Sequence, residues 1–181
     1  MSAHWTEDVI RLQPVLVVTQ YREDAKLVTE QLRGFSATVV TLWAQTAEAA
    51  LALAATRSPR LVFVGQASPP LDGPAFVKTL RRSDLPCRDA PVIMMSSEPT
   101  LGAMRQAQNA GAHEFLIRPF SAYQLAKRLQ AVAAPRPWIE TAAYVGPDRR
   151  RFNSAALLGP DRRDRAGVQR RPAKAAASGA S

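Results

Sequence analysis

The sequence predicts an α/β domain, a five-stranded parallel sheet with helices on both faces, followed by a basic C-terminal tail. Three features support this. Five apolar runs of strand length recur between residues 15 and 117. Each is followed by a segment with the apolar spacing of an amphipathic helix, and alternation of this kind builds parallel sheets covered on both sides. The pattern then stops at Ala134, where proline, arginine, aspartate and glycine take over.

The elements follow in order. Residues 1–13 form a short polar lead. Val15–Thr19 is a valine-rich buried strand. Arg22–Arg33 places Ala25, Leu27, Val28 and Leu32 among charges, at helical spacing. Ala37–Trp43 is the second strand, and Thr46 caps an alanine- and leucine-rich helix that runs to Ala55. Leu61–Val64 is the third strand, leading into the proline- and glycine-rich loop Gly65–Gly73. Pro74 opens the next helix, to Arg82, at a position where its missing N–H costs nothing. Pro91–Met95, Leu101–Ala110, Glu114–Ile117 and Ser121–Ala133 complete the series as strand, helix, strand and helix. The reactive crevice of such a sheet lies beyond the carboxyl ends of its strands.

Charge separates the tail from this domain. Residues 1–135 hold 14 Lys/Arg against 11 Asp/Glu, whereas residues 136–181 hold 10 against 4, so most of the net charge of +9 lies in the last quarter. Such a concentration implies an anionic partner. The stretch is also punctuated by Pro135, Pro137, Pro147 and Pro160, and Lys174–Ser181 is of low complexity. Too little of it is apolar to offset ordering entropy, so residues 135–181 are expected to be disordered when free.

Other classes are disfavoured. Cys87 is the only cysteine, which rules out an intrachain disulfide and argues against a zinc cluster. The N-terminus lacks the pattern of a signal peptide, and no run approaches the ~20 apolar residues of a membrane span. A cytoplasmic protein with no membrane partner is the expectation. There is no nucleophile–base pair, glycine-rich phosphate loop or metal-ligand spacing, so a binding protein is expected rather than an enzyme. His4 and His113 have no catalytic partner in sight.

The strand ends carry a resemblance. Val15-Leu16-Val17-Val18, Pro69-x-Leu71-Asp72-Gly73, Pro91-Val92-Ile93-Met94, Ala110-Gly111-Ala112 and Arg118-Pro119-Phe120-Ser121 fall in the order and spacing of CheY-like receiver domains of response regulators. The similarity covers residues 14–134 and implies a flavodoxin-like fold, two-component signalling and a chemotaxis setting. Receivers accept a phosphoryl group on an aspartate after the third strand. Acidic residues after the first strand hold magnesium, a hydroxyl follows the fourth strand and a lysine the fifth. Here Thr19 and Gln20 replace the acidic pair, Gly65 stands at the acceptor position and Arg118 at the lysine position. Only Ser96 fits. Glycine has nothing to phosphorylate, and magnesium needs hard oxygen ligands. A pseudo-receiver that binds no metal is therefore expected. Arg118 either fills the lysine's space or binds an anion. Phe115, at the position of the receiver's switch aromatic, is expected to pack in the core. Asp72 matches a loop aspartate rather than the acceptor.

Gly-Pro-Asp-Arg-Arg occurs twice in the tail, at Gly146–Arg150 and Gly159–Arg163. Arginine matches the O6/N7 edge of guanine or a phosphate. Aspartate accepts from the opposite guanine edge and would repel a bare phosphate backbone. Trp138 and Tyr144 can stack on bases. Two copies suit a ligand with two guanines, although Leu158 stands where Tyr144 does in the first copy. The combination resembles the arginine-rich C-terminal motif of the Cle family, CheY-like proteins that bind cyclic di-GMP and act at the flagellar motor. The resemblance implies ligand contacts from Arg136, Trp138, Tyr144, Asp148, Arg149, Arg150, Arg151, Asp161, Arg162 and Arg163. It also implies docking on the motor switch or another signalling protein, to control motility or attachment. RNA binding by the tail, or a protein-interaction adaptor whose tail is incidental, are the alternatives.

Overall fold

The structure, a computed structural model, describes residues 3–68, 70–98, 100–149 and 169–171. Strands β1 (Val15–Val18), β2 (Thr41–Ala44), β3 (Leu61–Gly65), β6 (Val92–Ser96) and β7 (Glu114–Ile117) form the predicted five-stranded parallel sheet, in the order β2-β1-β3-β6-β7. Val17 pairs with Trp43 on one side and Phe63 on the other, and Met94 pairs with Phe115.

Burial on both faces explains the nearly unbroken apolar runs. Successive side chains point to opposite faces of a strand. Val15, Val17, Leu61, Phe63, Ile93, Met95 and Leu116 accordingly fall in one hydrophobic cluster, with Val28 and Leu32 of α2 (Arg22–Phe35) and Leu125 and Leu129 of α6 (Ala122–Ala133). Leu16, Val18, Val62, Val64, Met94 and Phe115 fall in the other. There they meet α3 (Ala47–Arg57), α4 (Gly73–Arg82) and α5 (Leu101–Ala110).

The helix starts are set by side-chain caps. Thr46, Asp72 and Thr100 each accept the backbone N–H three residues on, at 3.2, 2.9 and 3.0 Å. Ser121 and Gln124 form a reciprocal capping box. Asp72, the loop aspartate, is thus the N-cap of α4. The preceding loop folds into a small ribbon of β4 (Ala67–Ser68) and β5 (Leu71–Asp72).

Two stretches differ from expectation. The polar lead contains a helix, α1 (Ala3–Arg11), which packs on α6 and α2. Val9 and Leu12 enter the core there. Trp5, Val9 and Leu12 do stand at helical spacing in the sequence, a signal that the polar composition of the lead obscures. The second difference lies in the tail, whose first part is not a disordered chain. Residues 138–140 form β8 (Trp138–Glu140) and residues 145–147 form β9 (Val145–Pro147), paired as an antiparallel hairpin. A third strand, β10 (Gln169–Arg171), pairs along the other edge of β8. Low apolar content misleads here because the hairpin borrows its burial from the domain beneath it.

Candidate functional site

The residues singled out in the sequence gather at the two ends of the sheet. Thr19, Gly65, Ser96 and Arg118 meet at the carboxyl ends of β1, β3, β6 and β7, as their positions in the sequence predict. Thr19 is fully buried, and its hydroxyl donates to Asp24 Oδ2 at 3.3 Å. Its backbone carbonyl accepts the indole N–H of Trp43 at 2.9 Å. Gln20 follows it in the loop to α2. Arg118 forms an ion pair with the same carboxylate of Asp24, and both side chains are about five-sixths buried, at 16% and 15% exposure. Burial lowers the guanidinium's affinity for its proton, but arginine stays a cation.

A Cβ on Gly65 would stand 3.6 Å from Thr19 Oγ1, an ordinary contact, so a methyl group fits there. Ser96 is spent on a turn, accepting the N–H of Glu98 at 3.0 Å. Phe115 is 6% exposed within the hydrophobic cluster. Among the described residues, no group of three or more His, Cys, Asp or Glu side chains could hold a metal ion. Asp24 does not stand out in the sequence. The available signal is a carboxylate in the first turn of the helix after β1, one turn beyond the strand end.

The tail hairpin sits at the other end, beside the amino ends of β6 and β7. Its anchor is Arg81 on the last turn of α4, fully buried. The Arg81 guanidinium donates to Gly111 O at 3.1 and 3.0 Å, to Ala90 O at 2.8 Å and to Arg88 O. Its face lies 5.1 Å from the centre of the Trp138 ring. Burial brings its pKa down to about 10, so it remains charged at neutral pH. His113 Nδ1 accepts the Val92 N–H at 3.2 Å and also faces Arg81. Burial, then Arg81 and Arg136, hold this imidazole well below its usual pKa.

Each predicted ligand residue within the described chain has a partner. Arg136 is ion-paired with buried Glu114, which also holds Arg128 at 3.1 Å, and it donates to His113 O at 2.8 Å. Tyr144 donates its hydroxyl to Pro147 O at 2.7 Å, and burial pushes its pKa up to about 12. Arg149 lies 4.3 Å from the centre of the Tyr144 ring and donates to Asn109 on α5. Asp148 is half-buried, and its backbone N–H donates to Pro137 O at 2.8 Å. Beside them, Arg88 is paired with Glu140 of the hairpin at 2.9 Å.

Two glycines close the seam. Gly146 and Gly111 both have positive φ, +157° and +98°. A Cβ on Gly111 would stand 2.7 Å from Val145 O, and one on Gly146 would stand 2.9 Å from Gly111 Cα. The first Gly-Pro-Asp-Arg-Arg copy therefore begins as a packing element, with the Asp148 N–H held by the Pro137 carbonyl. Arg150, Arg151, Asp161, Arg162 and Arg163 lie outside the described residues, as does the second copy. Nothing in the sequence pattern gives Arg81 or His113 a role, but Glu114 carries a signal. A glutamate opening a buried strand is the signal that points to one, because a buried carboxylate needs a cation.

Known proteins agree with this architecture. The response regulator receiver domain family matches residues 15–130. The KDP operon transcriptional regulatory protein KdpE of Escherichia coli (strain K12) is 32% identical over 104 residues, which cover 54% of this chain and 44% of that protein. The chain thus matches less than half the length of that relative. Among solved structures, chemotaxis protein CheY4 of Vibrio cholerae superposes with a TM-score of 0.59 at 25% identity, covering 65% of this chain and 96% of that one. The receiver domain of NtrX from Brucella abortus gives 0.55 at 30% identity, covering 65% and 97%. With the family matched across well over half of its length, the chain belongs to the response regulator receiver domain family.

Proposed function

We propose that this protein is a non-phosphorylatable receiver that takes its input through the tail, as a cyclic di-GMP effector, and passes it on by docking to a protein partner. The observation that carries the reading is the Asp24–Arg118 ion pair beside Gly65. The cation that would meet a phosphoryl group is already neutralised, and the acceptor carboxylate is missing. An input must then come from elsewhere, and the doubled aspartate–arginine segment is the part of the sequence suited to a ligand with two guanines. The likeness to a chemotaxis protein supports an output at the flagellar motor switch, controlling motility or attachment, in the cytoplasm. No helix among the described residues is long and apolar enough to cross a membrane.

The test is a titration of cyclic di-GMP, GTP and short RNA into the full chain, followed by heat and tryptophan fluorescence. Binding of the cyclic dinucleotide alone, lost in Asp148→Ala and Asp161→Ala, is the expected result. No binding at low micromolar concentration would sink the reading. Binding of RNA that survives both substitutions and weakens steeply with salt would replace it with a nucleic-acid function.

A further inference from the structure

Four of the side chains that the nucleotide would need are already engaged, three by the receiver and Tyr144 within the hairpin. Arg136 is paired with Glu114, Trp138 lies over Arg81, Tyr144 is bonded to Pro147, and Arg149 is stacked on Tyr144 and bonded to Asn109. Stacking on a base needs an open ring face, and a guanine edge or a phosphate needs an open guanidinium fork. Trp138 is 6% exposed and Tyr144 7%, and the Arg136 side chain is 7% exposed. In the docked hairpin Trp138, Tyr144 and Arg136 offer neither kind of surface, and the half-buried Arg149 is engaged by Tyr144 and Asn109.

The dock also has the marks of a reversible contact. Trp138, Ile139 and Tyr144 are buried, yet none of them belongs to either hydrophobic cluster of the domain. The seam is held instead by a cation over a ring, ion pairs and backbone contact between two glycines. The indole N–H of Trp138 is buried with no acceptor. A donor in that state is penalised while docked and regains a partner on leaving.

We propose that hairpin docking autoinhibits the tail: the receiver and the nucleotide compete for Arg136, Trp138, Tyr144 and Arg149, so ligand binding draws the hairpin off its seat on Arg81, Gly111 and Glu114. The proposal rests on the cyclic di-GMP reading. Its consequence follows from linkage. A docked population lowers the apparent affinity for ligand by the ratio of docked to undocked forms, and weakening the dock restores affinity by the same factor. Binding in turn uncovers the seat, a surface beside α5 and β7 that the docked form hides.

Arg82 and Asn109 allow a clean test. Both are exposed, and they hold the hairpin through Ala142 O and Arg149 without entering the core or the proposed ligand set. The double variant Arg82→Ala/Asn109→Ala of the full chain is titrated with cyclic di-GMP by calorimetry, beside the wild type. The Trp138 indole N–H is followed in ¹H–¹⁵N spectra. The expected result is an affinity about three- to tenfold tighter in the variant, with the indole passing from protected to exchanging as ligand is added. Unchanged affinity, or an indole that stays protected in the saturated protein, overturns the competition and leaves the nucleotide reading standing. Absence of binding in both proteins overturns the nucleotide reading, and the competition with it.

Discussion

The fully buried guanidinium of Arg81 lies 5.1 Å from the ring centre of Trp138, which joins the last turn of α4 to the first strand of the tail hairpin. A residue that the sequence offers as a base-stacking platform is therefore also the lid over a buried cation. Removing it should damage the receiver itself. Trp138→Ala is expected to lower unfolding free energy by about 3 kcal/mol, read from urea denaturation. Trp138→Phe keeps a ring over Arg81 and removes the unpaired N–H, so its loss should be clearly smaller. Equal losses would mean that the ring is not what matters.

The same contact fixes where the chain can be cut. A version ending at residue 135 loses Arg136 from Glu114 and Trp138 from Arg81, while one ending at residue 149 keeps both strands of the hairpin. The shorter version should melt at least several degrees lower, since a loss of about 1 kcal/mol shifts a domain of this size by roughly 2–8 °C. Matching melting temperatures would show that the hairpin adds nothing to the domain.

Gly65 and Gly73 lie at the two ends of one loop and should respond in opposite ways. A Cβ on Gly65 meets nothing closer than 3.6 Å, whereas one on Gly73 would stand 2.1 Å from the Gly65 carbonyl oxygen. Gly65→Ala should change stability by less than about 1 kcal/mol. Gly73→Ala should cost about 3 kcal/mol, because the obstacle is backbone. Gly65→Asp should still show no stable mass gain with acetyl phosphate and magnesium, because Arg118 is committed to Asp24 and Thr19 and Gln20 supply no carboxylate.

The Asp24–Arg118 pair gives a coupling test. Asp24→Asn leaves a largely buried guanidinium without its counter-charge and should cost about 2–3 kcal/mol. Arg118→Met leaves the carboxylate in the same position. The double variant should lose less than the sum of the two by roughly 1 kcal/mol or more, measured by denaturation. Simple additivity would mean that the two residues do not interact in solution.

His113 predicts a pH dependence. Its folded pKa lies well below the usual 6.5, because burial and then Arg81 and Arg136 oppose its protonation. A depressed folded pKa contributes stability that is present above the unfolded value and lost as pH falls towards the folded one. Thermal stability should therefore decline below about pH 6.5, and Trp138 should become more accessible over the same range. In His113→Asn, whose side-chain oxygen can still accept the Val92 N–H, the slope between about pH 6.5 and 5 should flatten. An unaltered slope would assign the acid sensitivity to the carboxylates.

Local pattern is enough to specify the sheet and to name the side chains at its carboxyl end. Valine-rich runs such as Val15–Val18 read as strands buried on both faces, and Gly65 cannot be phosphorylated in any fold. Those readings rest on local period and on the atoms a side chain possesses, and both are visible without coordinates. Asp24 is less legible, because its bond to Arg118 spans 94 positions. The seating of the hairpin is not legible at all. Trp138, Tyr144 and Arg136 look solvated in a proline- and arginine-rich stretch, and their burial depends on Arg81, Gly111 and Glu114, which lie far away in the chain. Folding of the whole domain is what brings those groups to one seat, because a hairpin with little core of its own is ordered by the surface it covers.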